Sequence, residues 1–505
     1  MGGKVWLVGA GPGDPGLFTL RGKEVLLQAD VVVYDALVGP GILAMIPDSA
    51  ERIFAGKRSG NHFMRQDETN RVLLEQAQEG KKVVRLKGGD PFLFGRGGEE
   101  LELLTGNGIP FEIVPGVPSA FAVPAYAGIP VTHRDFASSV HVVTGHKRAD
   151  QSYDIDFAAL VRTNGTLVFL MGIAAMHEIC SGLLDAGMDP AMPAAVLEKG
   201  TTAKQGKILA TVGTLEAECA RRPVRTPAII VVGKVCELSE PFSWYEKRPL
   251  AEVRVVVTRP KELMSSLSDL LRQEGAEVVE LPSIALKPVT DRSLLHESIH
   301  RLEQKEYDWV VFTSPSGVRI FLEELFRVSD IRALSGAKIA SIGPGSEKAL
   351  NARGLKSDFM PSVYDGKTLG EELAKQLNGG ERILIPRAAI GNPELTEELK
   401  NVPGVTVSDI ATYDTVYGSP GAPDVSAVLE DGDVDFAVFT SASTVKGFAE
   451  SLKGLDFANV RAVCIGKQTR AAADRLGMQT WMAEKATLPD LVDCVKQAAR
   501  EVYPE

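Results

Sequence analysis

The chain has 505 residues, a formal net charge of −11 and a hydrophobic fraction of 44%. Its length exceeds a single ordinary core and predicts two to four domains, while the acidic balance disfavours nucleic acid as a partner. No apolar run reaches the ~18 residues that a membrane helix needs, and the five cysteines form no CxxC pair, which favours free thiols in a reducing compartment. We therefore expect a cytoplasmic protein without a membrane partner.

The N-terminal part of the chain predicts strands that alternate with helices. The β-rich segments VWLVGAG, DVVVYDALV, KVVRLKGGD and FEIVPG are separated by helical stretches such as LRGKEVLLQA and TNRVLLEQAQEG. This alternation is typical of an α/β domain with a largely parallel sheet. The proline-rich stretch 114–134 predicts a crossing to a second subdomain, and the β-rich segments between 139 and 235 are expected to be more hairpin-like.

The second half of the chain repeats itself weakly after a boundary expected around 237–253, where proline, aromatic and charged residues cluster. WVVFTSPSGVRIF (309–321) resembles FAVFTSASTVKGF (436–448), and KIASIGPGSEKALNARGL (338–355) resembles RAVCIGKQTRAAADRLGM (461–478). The repeat predicts two similar α/β lobes. Its Thr-Ser and Ile-Gly turns would open helices, where backbone N–H groups suit anions and where plain N-capping is the simpler role.

One glycine motif approaches the dinucleotide fingerprint. Gly9-Ala-Gly11-Pro-Gly13-Asp14 follows a strand, and Asp35 ends the next strand. The carboxylate of Asp14 would repel a pyrophosphate, and Pro12 lacks a backbone N–H where a donor is wanted. We therefore do not expect NAD at this turn.

A second motif, HESIH at 296–300, matches the zinc-protease pattern. It lies in a segment with Leu295, Ile299 and Leu302 at helical spacing, and the longer metalloprotease motif with a third histidine is missing from the sequence. The pattern therefore predicts an amphipathic helix and no metal.

Basic residues between 57 and 148 are candidates for an anion-binding cleft in this acidic protein, with ordinary surface charge as the alternative for each. They are Lys57, Arg58, Arg85, Lys87, Arg96, His133, Arg134, His146 and Lys147.

Several blocks between about residues 3 and 245 together resemble uroporphyrinogen-III C-methyltransferases. They are VGAGPGD (8–14), VVYDALV (32–38), GKR (56–58), VVRLKGGDPFLFGRGGEE (83–100), VPGV (114–117), GIPVTHRD (128–135), VTGH (143–146), LVFLMG (167–172) and EKGTTAKQ (198–205). The remainder, about 251–505, resembles uroporphyrinogen-III synthases through the duplicated Phe-Thr-Ser and Ile-Gly pattern, the segment ILIPRAAIG, and Tyr413 in IATYDTVY.

The resemblance implies a bifunctional enzyme. The second half would cyclise hydroxymethylbilane to uroporphyrinogen III with inversion of the last ring. The first half would transfer two methyl groups from S-adenosylmethionine (SAM) to that product, giving precorrin-2 on the siroheme and cobalamin branch. S-adenosylhomocysteine (SAH) as product, no metal, and a homodimer through the first half are also implied. The alternatives are a methyltransferase acting on a later precorrin, and a C-terminal half that is a non-catalytic ligand-binding module.

The implied fold is α/β throughout: a tetrapyrrole methylase fold of two α/β domains, then a two-lobed α/β uroporphyrinogen-III synthase fold. The expected bounds are 1–245 with subdomains 1–117 and 118–245, a linker at 246–252, and 253–505 with one lobe at 253–287 plus 418–505 and the other at 288–417.

By the same resemblance, Asp35 matches the proton acceptor of the methyltransferases and Lys57 the proton donor, with a strand-end cap and a surface lysine as simpler roles. Glycines in the SAM site would allow close approach of the main chain, and the Asp90 carboxylate would face a cationic, hydroxyl-bearing ligand. Met171 has core filling as its alternative, and Pro118-Ser119 stand where the family often has Thr-Ala. The residues implied at the SAM site are Pro12, Gly88, Gly89, Asp90, Leu93, Pro118, Ser119, Met171, Gly200 and Ala228.

A polycarboxylated tetrapyrrole calls for cationic partners, and the candidates are Arg58, Arg96, His133 and Arg134. In the second half, Tyr413 matches a tyrosine implied to assist loss of the hydroxyl, with a packed strand aromatic as the alternative. Substrate is expected to bind at the lobe edges to Thr313, Ser314, Ser441 and Thr469, with its carboxylates paired to Arg259, Lys261 and Arg387.

Overall fold

In a computed structural model, the described residues form four five-stranded sheets with helices between the strands. Two sheets lie in the N-terminal half (3–245) and two in the C-terminal half (253–504). No helix in the described part of the chain is long and apolar enough to cross a membrane. The α/β fold expected from the sequence is confirmed. The structure describes residues 3–56, 64–145, 155–391, 393–418 and 434–504.

The first sheet contains β1 (Lys4–Gly9), β2 (Val31–Tyr34), β3 (Glu51–Phe54), β4 (Lys82–Lys87) and β5 (Phe111–Val114). The order is β3-β2-β4-β1-β5, and every pair is parallel, as predicted. Its helices are α1 (Leu20–Leu26), α2 (Pro40–Leu43), α3 (Gln66–Gln78) and α4 (Gly97–Gly106). Because all strands run the same way, the loops that follow β1, β2, β4 and β5 meet at one edge of the sheet, where such folds bind ligands.

The second sheet contains β6 (Val140–Thr144), β7 (Thr166–Leu170), β8 (Pro193–Glu198), β9 (Gly206–Thr211) and β10 (Ala228–Val232), in the order β6-β7-β10-β8-β9. Only β6 and β7 pair in parallel, and the other three pairs are antiparallel, which agrees with the hairpin-like expectation. The proline-rich stretch does cross between the two sheets, and it contains a helix, Ser119–Tyr126, that its proline pattern does not predict. The helices of this part are α5 (Ser119–Tyr126), α6 (Phe157–Thr163), α7 (Met176–Asp185) and α8 (Leu215–Arg221).

The C-terminal half divides its strands between two sheets. The strands are β11 (Arg254–Val257), β12 (Glu277–Glu280), β13 (Ile284–Pro288), β14 (Trp309–Phe312), β15 (Lys338–Ser341), β16 (Arg382–Ala388), β17 (Thr406–Tyr417), β18 (Phe436–Phe439), β19 (Arg461–Cys464) and β20 (Gln479–Met482). The third sheet has the all-parallel order β12-β11-β18-β19-β20, and the fourth has the order β13-β17-β16-β14-β15 with only β13 antiparallel.

Helices follow the repeated strands as the internal repeat predicts. The α-helices that the structure describes in this half are α9 (Met264–Gln273), α10 (Ser293–Glu303), α11 (Pro315–Val328), α12 (Pro344–Asn351), α13 (Gly366–Ala374), α14 (Glu394–Lys400), α15 (Ala442–Ser451), α16 (Lys467–Asp474) and α17 (Leu488–Val502). The unit β14-α11-β15-α12 in the fourth sheet corresponds to β18-α15-β19-α16 in the third. In each unit the two strands are parallel neighbours.

The HESIH segment lies within α10, and the predicted helix is confirmed. Leu295, Ile299 and Leu302 face a buried core. His296 Nε2 lies 2.7 Å from a carboxylate oxygen of Glu324, and His300 Nδ1 lies 3.0 Å from Glu303. The two histidines therefore contact different carboxylates and stabilise the helix surface.

Candidate functional site

Three glycine-containing loops interlock at the ligand-binding edge of the first sheet. The amide of Gly89 donates to the carbonyl oxygen of Gly11 at 2.7 Å, and the amide of Gly11 donates back at 3.1 Å. Gly89 and Gly11 have φ values of +68° and +72°. A Cβ on Gly116 would lie 2.2 Å from the Gly89 oxygen, and one on Gly88 would lie 2.5 Å from Cβ of Leu37. The expectation that these glycines serve ligand contact is therefore incomplete, because the loops need them to pack against each other.

Asp90 organises the loop that follows β4. Its Oδ1 accepts hydrogen bonds from the amides of Phe92 at 2.8 Å and Leu93 at 3.2 Å, and its Oδ2 accepts one from the amide of Gly116 at 3.0 Å. Backbone amides of its own and a neighbouring loop use both oxygens, so the carboxylate holds the loops after β4 and β5 together. The sequence did not predict this structural role, and the expected contact with a cationic ligand stays a prediction.

Gly89 faces the backbone at the N-terminus of α5. A Cβ on Gly89 would enter space whose nearest atom is the amide nitrogen of Ser119, 3.9 Å away. Ser119 is the first residue of α5, and Pro118 precedes it in an extended conformation. A glycine backbone facing a helix N-terminus can hold a polar ligand through main-chain groups. The change from Thr-Ala to Pro118-Ser119 leaves this amide in place.

Loops from the second sheet close on the same region. The amide of Asp14 donates to Oγ1 of Thr201 at 3.2 Å, and the hydroxyl of Tyr126 donates to Oδ2 of Asp14 at 2.7 Å. Burial and the Asp14 carboxylate raise the pKa of Tyr126, which keeps the phenol as a donor. The loop after β8 thus contacts the loop after β1, and the Asp14 that spoils the dinucleotide pattern serves as the bridge.

Met171 and Gly200 lie at strained turns after β7 and β8. Met171 has φ +55° and is half-exposed, which excludes core filling. Gly200 lies between Lys199 and Thr201, whose φ values are +42° and +68°. Non-glycine residues adopt this conformation only where the surroundings impose it. Strain of this kind marks both turns as candidate ligand contacts.

A buried charged cluster lies under Asp35. Oε1 of Glu100 accepts hydrogen bonds from Lys87 Nζ at 2.7 Å and from Arg85 Nε at 3.1 Å. Arg85 Nη2 also lies 3.7 Å from Oδ2 of Asp35, whose side chain is 24% exposed. Burial, together with the neighbouring guanidinium of Arg85, lowers the pKa of Lys87. Arg85 and Lys87 are candidates for cleft cations in the sequence, with ordinary surface charge as the alternative. The structure corrects both, because the two side chains are buried in this cluster.

The remaining predicted residues of the N-terminal half have different environments. Leu93 packs against the core beneath α5, and Ala228 begins β10. Arg96 forms a bidentate pair with Glu99 at 2.7 and 2.8 Å, Arg134 is exposed, and Nδ1 of His133 accepts the Asp135 amide. The predicted residues that lie outside the described part of the chain are Lys57, Arg58, His146 and Lys147.

In the C-terminal half the structure brings Tyr413 and Ser314 together. Their hydroxyl oxygens are 3.1 Å apart, and Oγ of Ser314 also accepts the Gly317 amide as the N-cap of α11. Tyr413 is 6% exposed, and burial raises the pKa of its phenol while the Ser314 contact opposes that rise. A neutral phenol at a helix N-terminus is suited to donate a hydrogen bond to a leaving oxygen.

The other predicted binders of this half have structural partners. Ser441 caps α15 by accepting the Thr444 amide at 3.2 Å, and Thr469 is buried within α16. Thr469 lies in the first turn of the helix that follows β19, and its side chain is buried. Thr313 is half-buried before Ser314. The described contacts link Ser314 to Tyr413 and join neither of them to Ser441 or Thr469.

Three predicted carboxylate-binding cations already contact side chains of the protein. Arg387 pairs with Asp409 at 2.5 Å, Lys261 lies 3.3 Å from Asp48 of the N-terminal half, and Arg259 donates to Ser266 at 2.9 Å. Lys261 therefore joins the two halves, a role that its sequence position does not indicate.

The five cysteines are all buried free thiols. Burial raises the pKa of Cys236 and of Cys464 to about 12, so neither is a thiolate at neutral pH. No group of three or more potential ligands for a metal ion occurs among the residues that the structure describes.

In comparisons with known proteins, each half of the chain matches a different family model. The model of Tetrapyrrole (Corrin/Porphyrin) Methylases matches residues 4–216, and that of Uroporphyrinogen-III synthase HemD matches residues 265–493. The chain is 46% identical over 492 residues to the porphyrin biosynthesis protein HemD of Ruminiclostridium josui, with 97% of each chain covered. It is 40% identical over 355 residues to the uroporphyrinogen-III C-methyltransferase of Bacillus subtilis, covering 70% of this chain and 72% of the relative.

A solved structure is also similar to the N-terminal half. The crystal structure of uroporphyrin-III C-methyl transferase from Thermus thermophilus complexed with S-adenyl homocysteine is 39% identical, covers 46% of this chain and 99% of its own, and has a TM-score of 0.41.

The two matched domains define an enzyme of tetrapyrrole biosynthesis with two parts, a methylase and a synthase. The chain belongs to the family of the porphyrin biosynthesis protein HemD, whose Ruminiclostridium josui member it matches across both parts. The family resemblance noted in the sequence is thereby confirmed for both halves.

Proposed function

We propose that the chain catalyses two consecutive steps of tetrapyrrole biosynthesis. The C-terminal half cyclises hydroxymethylbilane to uroporphyrinogen III with inversion of the last ring. The N-terminal half transfers two methyl groups from SAM to that product and gives precorrin-2. The observation that carries this proposal is the 46% identity over 97% of both chains to a porphyrin biosynthesis protein. It is supported by one family model in each half.

The proposed donor site lies at the edge of the first sheet. SAM supplies a methyl group already activated by its sulfonium, so the protein has to orient the reactants and manage protons. Gly89 faces the backbone amide of Ser119, and a glycine next to a helix N-terminus suits a ligand bound by main-chain groups. Asp90 acts through the loops that it joins. The residues proposed to line the site are Pro12, Gly88, Gly89, Asp90, Leu93, Pro118, Ser119, Met171, Gly200 and Ala228.

Asp35 is the proposed proton acceptor. Its side chain is partly exposed at the end of β2, and the guanidinium of Arg85 lies 3.7 Å behind it. A carboxylate that is partly open to solvent can be reached by a substrate, as a proton acceptor must be. Lys57 is the proposed proton donor. The proposed partners of the tetrapyrrole carboxylates are Arg58, Arg96, His133 and Arg134.

The synthase step is proposed to use the pair of Tyr413 and Ser314. The phenol donates a hydrogen bond to the leaving hydroxyl, and Ser314 orients the phenol while it caps α11. The main work of this half is to fold the linear substrate so that its ends meet. The further proposed binders are Thr313, Ser441 and Thr469, the last through its backbone because its side chain is buried.

A single coupled assay tests both reactions. The full chain is incubated with hydroxymethylbilane and SAM, and the tetrapyrrole products are separated by isomer. Precorrin-2 without added enzymes is the expected result. Methylation of supplied uroporphyrinogen III, combined with only the symmetric isomer from the bilane, would show a non-catalytic C-terminal half. Methylation of a later precorrin alone would assign the N-terminal half to another step.

The resemblance also supports proposals for the location, oligomeric state and domain bounds of the chain. We propose a cytoplasmic homodimer formed through the N-terminal half, serving the siroheme and cobalamin branch. The proposed domains are 1–245 and 253–505, with a linker at 246–252. Sedimentation of the full chain gives the oligomeric state directly.

A further inference from the structure

The two halves of the chain meet at a loop of the proposed donor site. Oε2 of Glu277, at the start of β12, accepts a hydrogen bond from the backbone amide of Ala203 at 2.9 Å. Ala203 belongs to the segment EKGTTAKQ (198–205), which follows β8. Glu277 is itself held by Arg254 of β11 at 3.0 Å, and both side chains are 12% exposed. A carboxylate of the C-terminal half therefore contacts a loop of the N-terminal half in a mostly buried setting.

The contact continues into the loop after β1. In the same segment, Thr201 accepts the amide of Asp14 at 3.2 Å, and Gln205 accepts the amide of Thr201 at 2.8 Å. Asp14 in turn accepts the hydroxyl of Tyr126. One chain of contacts thus runs from the third sheet to the turn that contains Pro12. A small cavity of about 50 Å³ at this junction is lined by residues of both halves, including Asp14, Thr201 and Glu277.

The backbone of this loop needs support. Lys199 and Thr201 are non-glycine residues at positive φ, a strained conformation that persists only where the surroundings impose it. The amide of Ala203 is buried and would have to find another partner without Glu277. The N-terminal half restrains the loop through several hydrogen bonds, among them those of Gln205 and Asp14. Glu277 adds a restraint from the C-terminal half.

We propose that Glu277 is a positioning residue for the donor site of the other half. It holds the loop 198–205 in the conformation that places Thr201 against the loop after β1 and Gly200 against Val123 of α5. This inference rests on the proposed function, since it takes the loop 198–205 to be part of the SAM site. The synthase half accordingly contributes to donor binding. SAM binding in the N-terminal half then depends on a residue of the C-terminal half.

The test measures SAH binding to the full chain by calorimetry. We expect Glu277→Leu, which removes both acceptor oxygens, to weaken binding about tenfold. We expect Glu277→Gln to weaken it about threefold, because an amide oxygen accepts a weaker hydrogen bond than a carboxylate. The KM for SAM should rise with the dissociation constant while kcat changes little, and hydrogen exchange should accelerate in the segment 198–205.

Glu280 provides the matched control on the same strand. Its carboxylate pairs with Arg272 of α9 at 3.0 Å. Glu280→Leu and Glu280→Gln should leave SAH affinity within about twofold of the wild type. Bilane cyclisation, measured in each preparation, reports whether the third sheet is intact. If Glu277→Leu does not fold, the test compares Glu277→Gln with its control Glu280→Gln.

The outcomes separate the two proposals. Wild-type affinity and unchanged exchange of 198–205 in a folded Glu277 variant would overturn the role of Glu277 and leave the proposed function standing. A wild-type chain that binds no SAH would overturn the proposed donor site itself. Equal weakening by the Glu280 variants would assign the effect to the third sheet as a whole and would likewise overturn the inference.

Discussion

The ammonium nitrogen of Lys87 lies 2.7 Å from Oε1 of Glu100, and both side chains are buried. Arg85 donates to the same oxygen at 3.1 Å. One carboxylate therefore separates two buried cations that would otherwise repel each other. The cluster lies directly behind Asp35, so its charge balance affects both stability and the proposed proton acceptor.

Replacing Glu100 by glutamine keeps the side-chain shape and removes the charge. We expect the free energy of unfolding to fall by about 3–5 kcal/mol, because breaking a buried ion pair leaves its charges uncompensated. Urea unfolding measures the loss. Glu99→Gln is the control, since its exposed pair with Arg96 contributes at most about 1 kcal/mol. Equal small losses in both variants would contradict this role of Glu100.

The environment of Glu112 predicts that the free energy of unfolding decreases at acid pH. It accepts hydrogen bonds from Lys4, Arg21 and Trp6, and the first two lower its pKa from 4.5 to about 2. The ionised form is favoured in the folded chain, so the stabilisation is fully present above pH 4.5 and is lost as the pH falls through about 2.

The corresponding variant is Glu112→Gln. We expect it to lower the free energy of unfolding by about 1 kcal/mol at neutral pH, a value reduced because the side chain is partly exposed. The difference from the wild type should shrink towards zero as the pH approaches 2. Urea unfolding between pH 7 and 2 measures this. Glu102→Gln, exposed on α4, should show no such pH dependence, and a constant deficit at all pH values for Glu112→Gln would contradict the prediction.

Asp35→Asn tests the proton acceptor. We expect the kcat of methyl transfer to fall by about 10²–10⁴-fold, which is the usual contribution of a general base. SAH binding should stay within about twofold, because Asp35 acts on the acceptor and not on the donor. Asp67→Asn, at an exposed site on α3, is the matched control. Unchanged methylation by Asp35→Asn would remove Asp35 from the proposal.

Tyr413→Phe tests the synthase site. Loss of the phenol hydroxyl should lower kcat for bilane cyclisation about 10–100-fold and leave methylation of supplied uroporphyrinogen III unchanged. Tyr417→Phe, on the same strand, is the control and should retain cyclisation. Ser314→Ala should also cost about 1 kcal/mol of stability, because it removes the N-cap of α11. Full cyclisation by Tyr413→Phe would identify Tyr413 as a packed strand aromatic.

Sequence patterns predicted the local elements well. Alternating apolar runs gave the parallel first sheet, and the repeated Phe-Thr-Ser and Ile-Gly turns gave the two matching units of the C-terminal half. The alternative of N-capping for Ser314 and Ser441 is confirmed. These features depend on neighbours a few residues away, so periodicity and capping residues suffice to predict them.

The contacts between distant elements required the tertiary structure. Arg85 and Lys87 occupy alternate positions of a buried strand, a pattern that could have predicted a shared partner, although only the packing of α4 identifies Glu100. The use of the Asp90 carboxylate by the Gly116 amide could not be read from the local motif either.

By itself, the sequence determined the α/β class, the family and the order of the two halves. The tertiary structure alone decided which charges are neutralised inside the protein, that Tyr413 meets Ser314, and that Glu277 reaches the amide of Ala203 across the two halves. The physical reason is that the residue type fixes the functional group of a side chain. The partner, burial and pKa of that group depend on the residues that the fold packs against it.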